Sequence, residues 1–154
     1  MKRRKILVKL ANLMKEYIKL FDQFQPLEEE KLQAAEAEDL AKLEQCMNKE
    51  QAFSLALRGI ENKREKMLKE NGQEGMTLKE IIDKFYQEQK NELLEIYDEM
   101  DRKMSLFKST NDSAMTIIQV RLRNIDNTIK VSQQIYNQNG DIEGSEHHLT
   151  NIKV

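Results

Sequence analysis

The chain has 154 residues, of which 34% are charged and 6% aromatic, with one Pro and five Gly. This length suits a single domain, and so few helix breakers indicate long α-helices. The formal net charge of −2 excludes the overall positive charge typical of nucleic-acid-binding proteins, and the single cysteine, Cys46, excludes an internal disulfide.

The first predicted helix covers residues 3–35. Pro26 costs about 3 kcal/mol inside a helix, because it lacks an N–H and clashes with the preceding turn. We therefore expect either a kink near 24–27 or a new helix that starts at Pro26. Apolar side chains recur in this segment at the three-and-four spacing of a helix: Leu7, Leu10, Leu13, Met14, Tyr17, Leu20, Phe21 and Phe24.

The second predicted helix covers residues 39–70, with Asp39 as its N-cap. Neither Gly nor Pro marks a turn before it, so one continuous helix of about 67 Å and a reversal at 35–39 are both compatible with the sequence. We favour the reversal, because two helices of similar length can bury each other. Cys46 lies on the apolar side of this helix and is expected to pack as a small hydrophobic residue.

The third predicted helix covers residues 77–108. Asn71–Gly72 ends the helix before it, because Gly suits the left-handed position after a helix C-terminus. Thr77 and Glu80 have the spacing of a capping box, with Thr as the N-cap and Glu three residues later.

The fourth predicted helix covers residues 112–136. Before it, Ser109–Ser113 consists of residues that favour caps and turns, which predicts a joint or a bend. We expect an all-α, elongated antiparallel four-helix bundle with up-down connections, contained in a domain of residues 1–140. Residues 141–154 are polar and aperiodic and are predicted to form a flexible tail.

The sequence contains no recognisable set of catalytic or metal-binding residues. The two histidines, His147 and His148, are neighbours in the predicted tail, where they supply no fixed geometry for a metal. Glu-x-x-His pairs, phosphate-binding Gly-rich loops and nucleophile elbows are absent. We therefore predict a protein that is not an enzyme and that holds no cofactor and no metal.

Nucleic acids and membranes are not expected partners. The basic run Lys2–Lys5 is isolated at one end of a chain whose charges are otherwise balanced. The N-terminal segment lacks the apolar core and the cleavage site of a signal peptide. No run approaches the roughly 18 apolar residues of a membrane span, so we expect a cytoplasmic protein.

The fourth predicted helix carries two apolar stripes. At 100° per residue, the first stripe contains Met115, Ile118, Leu122, Ile125, Ile129 and Tyr136. The second stripe, about 145° from the first by the same arithmetic, contains Ile117, Val120, Val131 and Ile135.

A helix that faces one core needs only one such stripe. We assign the first stripe to the bundle and interpret the second as a surface for a partner, since exposed apolar faces usually mark interaction sites. Asn124 and Thr128, in the middle of the second stripe, give it the mixed character that suits reversible binding. The alternative is that the second stripe touches two neighbouring helices in a tightly wrapped bundle.

Four features of the chain occur in the order found in a known family. They are the apolar pattern from Leu40 to Leu68 around Lys49-Glu50, the Asn71–Gly72 break with Thr77-Leu78-x-x-Ile81-Ile82, Asn111 ahead of the last apolar helix, and the closing Tyr136–Gly140. Together, over residues 7–140, they resemble the FlgN family of cytoplasmic export chaperones of the bacterial flagellar type III secretion system. The chain departs from the family at Glu38-Asp39, where the family often has Gly-Asp, and at Asn137, where its closing motif has Gly.

The resemblance implies a function in flagellum assembly. In this family the C-terminal helix binds hook-associated proteins, covering the disordered terminal segments through which they polymerise and so preventing premature assembly before export. By position, the binding segment here would be 111–136. The candidate partner-binding residues are Asn111, Ile117, Val120, Asn124, Val131 and Ile135.

The export apparatus is a further candidate partner, and we expect a monomer or a weak homodimer. The second interpretation is a non-enzymatic coiled-coil adaptor that self-associates through the same helix.

Overall fold

The computed structural model describes residues 2–138 and contains, within that range, four α-helices and no β-strand. The helices are α1 (Lys2–Glu36), α2 (Leu40–Glu70), α3 (Leu78–Phe85) and α4 (Lys90–Gln138). The predicted all-α class is confirmed. The predicted tail at 141–154, with His147 and His148, lies outside the described residues.

α1 lies at the centre of the bundle, because it packs against both α2 and α4. Polar contacts join the start of α1 to the end of α2 and the end of α1 to the start of α2, so these two helices are antiparallel. Contacts between α1 and α4 advance along both helices together, so α4 runs parallel to α1 and antiparallel to α2. The first set includes Tyr17–Glu61 and Lys31–Glu50, and the second includes Asp22–Lys103 and Glu38–Arg121.

The two ends of this bundle differ. α3 packs against α4 beside the first half of α1, and we call this the closed end. We call the opposite end, at the α1–α2 turn of residues 37–39, the open end.

α1 continues through Pro26 to Glu36, so the predicted new helix at Pro26 is wrong. Contacts with α4 hold the helix on both sides of the proline. The Gln25 side-chain amide donates to the Thr110 hydroxyl at 3.1 Å, and the Lys31 ammonium donates to the Asn111 side-chain carbonyl at 2.5 Å. These tertiary contacts offset the hydrogen bond that proline removes.

The chain reverses between α1 and α2, as predicted. Glu38 adopts a φ of +56°, the left-handed conformation that Gly adopts at lower cost. The Asp39 N–H donates to the Ala34 carbonyl at 2.9 Å, which closes the end of α1. The Asp39 carboxylate accepts from the Lys42 N–H at 3.1 Å and caps α2, which confirms Asp39 as the N-cap.

The loop between α2 and α3 also agrees with the sequence. Gly72 has a φ of +66°, as its position after a helix requires. Thr77 and Glu80 form the predicted capping box: the Glu80 N–H donates to the Thr77 hydroxyl at 3.2 Å, and the Thr77 N–H donates to the Glu80 carboxylate at 3.3 Å.

The predicted limits of the third and fourth helices are wrong. α3 ends at Phe85 instead of near 108, and α4 passes through 109–113 without a joint in one helix of 49 residues. The break at residues 86–89 places Tyr86 in the core, where 3% of it is exposed. Within α4, the hydroxyls of Thr110 and Thr116 donate to the carbonyls four residues earlier, so these turn-forming residues are accommodated in the helix.

The core of the bundle extends from the closed end to a group of aromatic rings contributed by α1, α2 and α4. The rings of Phe53 and Phe107 stack with centroids 4.5 Å apart, and Phe21 lies 5.4 Å from Phe107. Such pairs add about 0.5–1.5 kcal/mol beyond the burial of their area. Cys46 is also buried, as predicted, and burial raises the pKa of its thiol.

Candidate partner-binding surface

The second half of α4 continues past the open end of the bundle. Arg121 forms an ion pair with Glu38 in the α1–α2 turn. The 17 residues from Leu122 to Gln138 then continue in the same direction, which corresponds to about 25 Å of helix. We call residues 122–138 the protruding segment. No residue of α4 between Gln119 and Gln138 is buried.

The first apolar stripe faces the core only along part of its length. Ile118 is 7% exposed and Met115 is half-buried. Beyond them, 52% of Ile125 and 55% of Tyr136 are exposed. The expectation that this whole stripe belongs to the bundle is therefore wrong, because α1 and α2 end before the stripe does.

The second stripe lies largely in solvent. Val120, Val131 and Ile135 are 45%, 55% and 54% exposed, whereas Ile117 is half-buried. The monomer thus leaves three of these four aliphatic side chains uncovered. The alternative interpretation, in which neighbouring helices of the same chain cover this stripe, does not agree with these exposures.

An apolar groove of about 540 Å³ lies where α4 passes the open end. Small side chains at the end of α1 form its floor, the start of α2 forms one wall and α4 forms the other. Its lining includes Ala34, Ala35, Leu40, Leu43, Ile118, Leu122, Ile125 and Ile129. Leu40 is 76% exposed at its edge. The groove therefore joins the open end of the bundle to the first stripe of the protruding segment.

A row of polar residues separates the two stripes on their nearer side. At 100° per residue, Arg121 and Ser132 fall in the gap of about 145°, and Asn124 and Thr128 lie on the second stripe toward this gap. We call these four residues the polar seam. The Thr128 hydroxyl donates to the Asn124 backbone carbonyl at 2.8 Å, so it is satisfied within its own helix. Arg121 is its single charged residue, and both Arg121 and Asn124 also line the groove.

Asn111 lies apart from the other candidate residues. Its side-chain carbonyl accepts from Lys31, whose ammonium also contacts Glu28 at 3.0 Å and Glu50 at 2.9 Å. The ammonium thus makes one hydrogen bond to an amide oxygen and two ion pairs with carboxylates, and its three partners belong to α1, α2 and α4. We call these four residues the Lys31 cluster. Asn111 fixes α4 against α1 and α2 and does not join the exposed stripe.

The Lys31 cluster separates the aromatic core from the groove. Lys31 and Glu28 are 2% and 1% exposed, so one ammonium and one carboxylate are removed from water. Burial raises the pKa of Glu28 despite the opposing effect of Lys31, and the neighbouring Glu50 raises it further. Two carboxylates around one buried ammonium make this the most charged layer of the interior, and such a network specifies which side chains meet.

Two features of this surface were not predicted from the sequence. The groove depends on Ala34 and Ala35, whose small side chains fall in the weakly patterned stretch 27–37. The exposed part of the first stripe depends on where the α1–α2 turn lies along α4. The absence of Gly and Pro between Gly75 and Gly140 is the available signal that the last helix is longer than the other three.

Among residues 2–138, no group of three or more His, Cys, Asp or Glu side chains is placed to hold a metal ion. Within the same range, no helix combines the length and the apolar character that crossing a bilayer requires.

Comparison with known proteins gives one family match. The family model described as "FlgN protein" matches residues 1–141, which includes all four helices and the groove. No curated protein and no solved structure matches the chain.

Proposed function

The chain belongs to the FlgN family, and hence to the flagellar export chaperones, and we propose that it binds hook-associated proteins through the protruding segment and the adjoining groove. The observation that carries this proposal is the exposure of Val120, Ile125, Val131, Ile135 and Tyr136 on one helix, each between 45% and 55%. A monomer with this much uncovered apolar surface on one element gains from a partner that covers it.

The proposed mechanism is physical and involves no catalysis. A terminal segment of a hook-associated protein would fold along the protruding segment, with apolar side chains against both stripes and in the groove. Full burial of one such side chain contributes about 1.5–3 kcal/mol, and covering the exposed half contributes roughly 1 kcal/mol. Ordering the partner segment costs about 2–5 kcal/mol. Because the gain and the ordering cost are similar in size, the complex would be reversible, so that the chaperone prevents polymerisation and still releases its cargo for export.

The proposal uses five of the six residues named from the sequence. Val120, Val131 and Ile135 would contact the partner directly, and Ile117 and Asn124 would lie at the edge of the contact. Asn111 acts as a positioning residue in this proposal, because its contact with Lys31 sets the direction in which α4 leaves the bundle. The family acts in the cytoplasm, and the proposal places this protein there.

Replacing exposed residues of the second stripe tests the proposal. The double variant Val131→Asp/Ile135→Asp places two charges where the partner would bury aliphatic side chains, and we expect binding of a purified hook-associated protein from the same cell to weaken by at least about 100-fold. Both positions are more than half exposed, so the thermal unfolding midpoint should stay within about 2 °C of the wild type.

Leu55→Asp is the matched control, because Leu55 is 71% exposed on α2, away from this surface. It should bind as the wild type does. If the double variant binds normally, or if the wild type does not bind the hook-associated protein at all, the proposal fails. Sedimentation of the free protein tests the adaptor alternative, which requires a tight dimer that the same double variant abolishes.

A further inference from the structure

The ion pair between Glu38 and Arg121 lies in the lining of the groove, where the α1–α2 turn meets α4. Both residues line the groove, and Arg121 is the single charge in the polar seam between the two apolar stripes. Its partner belongs to the α1–α2 turn, so the pair joins the groove wall formed by α4 to the tip of the α1–α2 hairpin. A helix that docks in the groove and along the seam must therefore meet this guanidinium.

Burying Arg121 beneath a docked partner is costly unless a carboxylate or equivalent acceptor satisfies it. Glu38 supplies that carboxylate in the free protein, but it is 60% exposed and Arg121 is 48% exposed, so their mutual attraction is weakened by water. An acceptor inside a covered, drier contact interacts more strongly with the same guanidinium. A partner carboxylate at this position would satisfy Arg121 once the contact is covered.

The backbone at Glu38 supports the same conclusion. Glu38 is the one non-glycine residue with a positive φ among residues 2–138, a conformation that costs roughly 1–2 kcal/mol for a residue with a Cβ. A glycine would satisfy the turn at lower cost but could not contact Arg121. The side chain at this position therefore carries a local backbone penalty, and its visible contact is Arg121.

The remaining charges near the protruding segment disfavour a second copy of this chain as the occupant. Arg123 and Lys130 lie on the opposite, polar face, so Arg121 is the one charge of residues 119–138 on the side that faces the groove. Two such helices packed through this side would bring no carboxylate to either guanidinium, whereas an acidic side chain of a different helix would pair with it. The occupant that fits is an amphipathic helix of about five turns with an acidic side chain within its apolar face.

We propose that the Glu38–Arg121 pair is a placeholder: the terminal helix of the bound partner presents a carboxylate that displaces Glu38 from Arg121, so that an acidic residue inside an apolar face is the feature the chaperone recognises. This inference rests on the proposed function and specifies the chemistry of its ligand. It makes Glu38 a competitor of the partner and Arg121 a contact of the partner.

Two neutral variants separate this role from a structural one. Glu38→Gln and Arg121→Gln remove the same ion pair, so they should change the thermal unfolding midpoint by the same small amount. The affinity of the two variants for the purified hook-associated protein, measured by calorimetry, should change in opposite directions. Glu38→Gln should tighten binding by about two- to fivefold, because the competitor is gone. Arg121→Gln should weaken it by about fivefold or more, because the partner carboxylate is left unpaired.

Lys130→Gln is the control for net charge, because Lys130 pairs with Asp126 on the opposite, polar face of the same helix; binding should remain within about twofold of the wild type. The contact is then located from the partner side. Each Asp and Glu of the partner's terminal segment is changed to Lys in turn, and one of these changes should restore binding to Arg121→Glu.

The outcomes distinguish this inference from the proposed function. If Glu38→Gln and Arg121→Gln shift the affinity in the same direction, or if neither shifts it, the inference that Glu38 is a placeholder is wrong. If Val131→Asp/Ile135→Asp still abolishes binding in that case, the proposed function is unaffected. If the wild type does not bind the hook-associated protein, the proposed function itself has failed. If the wild type forms a dimer that Arg121→Gln disrupts, the occupant is a second copy and the inference is overturned.

Discussion

The two ends of α4 both carry an apolar stripe and have opposite surroundings. Between Leu93 and Ile118 its apolar face packs on α1 and the aromatic rings, with buried residues at every second turn or closer. Between Leu122 and Gln138 the same helix has no buried residue. An amphipathic pattern therefore defines a face that can be buried. The lengths of the neighbouring helices decide how much of this face is buried within the chain.

The border between these two regions lies at Ile118, about two turns beyond Asn111 of the Lys31 cluster. On one side lies the core that stabilises the fold, and on the other lie the groove and the protruding segment that we assign to the partner. A residue on the core side should therefore affect stability, and one on the open side should affect binding.

The largest difference is expected between two aromatic residues of α4. Phe107→Ala removes a ring that is 9% exposed and stacked on Phe53, and should lower the free energy of unfolding by about 3–5 kcal/mol. Tyr136→Ala removes a ring that is 55% exposed and should lower it by less than about 0.5 kcal/mol. Urea unfolding followed by circular dichroism measures both. Similar losses in the two variants would mean that the protruding segment is part of the folded core.

Removing the buried ammonium should have the next largest effect. Lys31→Met leaves Glu28 and Glu50 close together without their counter-charge, and should cost about 3 kcal/mol at pH 7. Because the pKa of Glu28 is already raised in the folded state, the folded protein binds its proton more tightly than the unfolded chain does. Stability therefore falls as the pH rises through that raised pKa, and the cost of the variant should be smaller at pH 4 than at pH 7.

The control for that variant is Lys130→Met, which breaks the exposed pair with Asp126 and should cost less than about 0.5 kcal/mol at either pH. Urea unfolding at both pH values measures the difference. An equal cost for the two lysine variants would show that the Lys31 cluster contributes no more than a surface ion pair.

The smallest effect is expected at the α1–α2 turn. Glu38→Gly and Glu38→Ala both remove the ion pair with Arg121, but only glycine relieves the positive φ of this residue. The glycine variant should be more stable than the alanine variant by about 1 kcal/mol. Their thermal unfolding midpoints provide the measurement. If alanine is tolerated as well as glycine, the backbone at residue 38 does not adopt the left-handed conformation.

The parts of the fold that could be predicted depend on local chemistry. Asp39 caps α2 and Thr77 with Glu80 caps α3 because each bond joins residues three positions apart, and such signals are present in any short window of sequence. Gly72 is also a local signal, because its positive φ depends only on its position after the end of α2. The sequence favours the reversal at 35–39 only because it allows two helices to bury each other. No glycine marks the turn, since Glu38 occupies the left-handed position.

The parts that could not be predicted depend on distant contacts. The break at residues 86–89 contains neither Gly nor Pro, and it lies there because Tyr86 packs into the core. Ser109–Ser113 has the composition of a turn, but Thr110 contacts Gln25 of α1 and bonds back to its own helix. The second stripe was visible in the sequence, whereas the groove and the exposed end of the first stripe follow from the position of the α1–α2 turn along α4.

Hydrogen exchange measured by mass spectrometry, on the free protein and on its complex with a purified hook-associated protein, tests the central claim most directly. We predict that backbone amides of residues 122–138 exchange faster than those of Leu93–Ile118 in the free protein, and that the partner slows exchange in 122–138 while leaving the closed end unchanged. Strong protection of 122–138 in the free monomer, or protection by the partner that appears only at the closed end, would contradict the account.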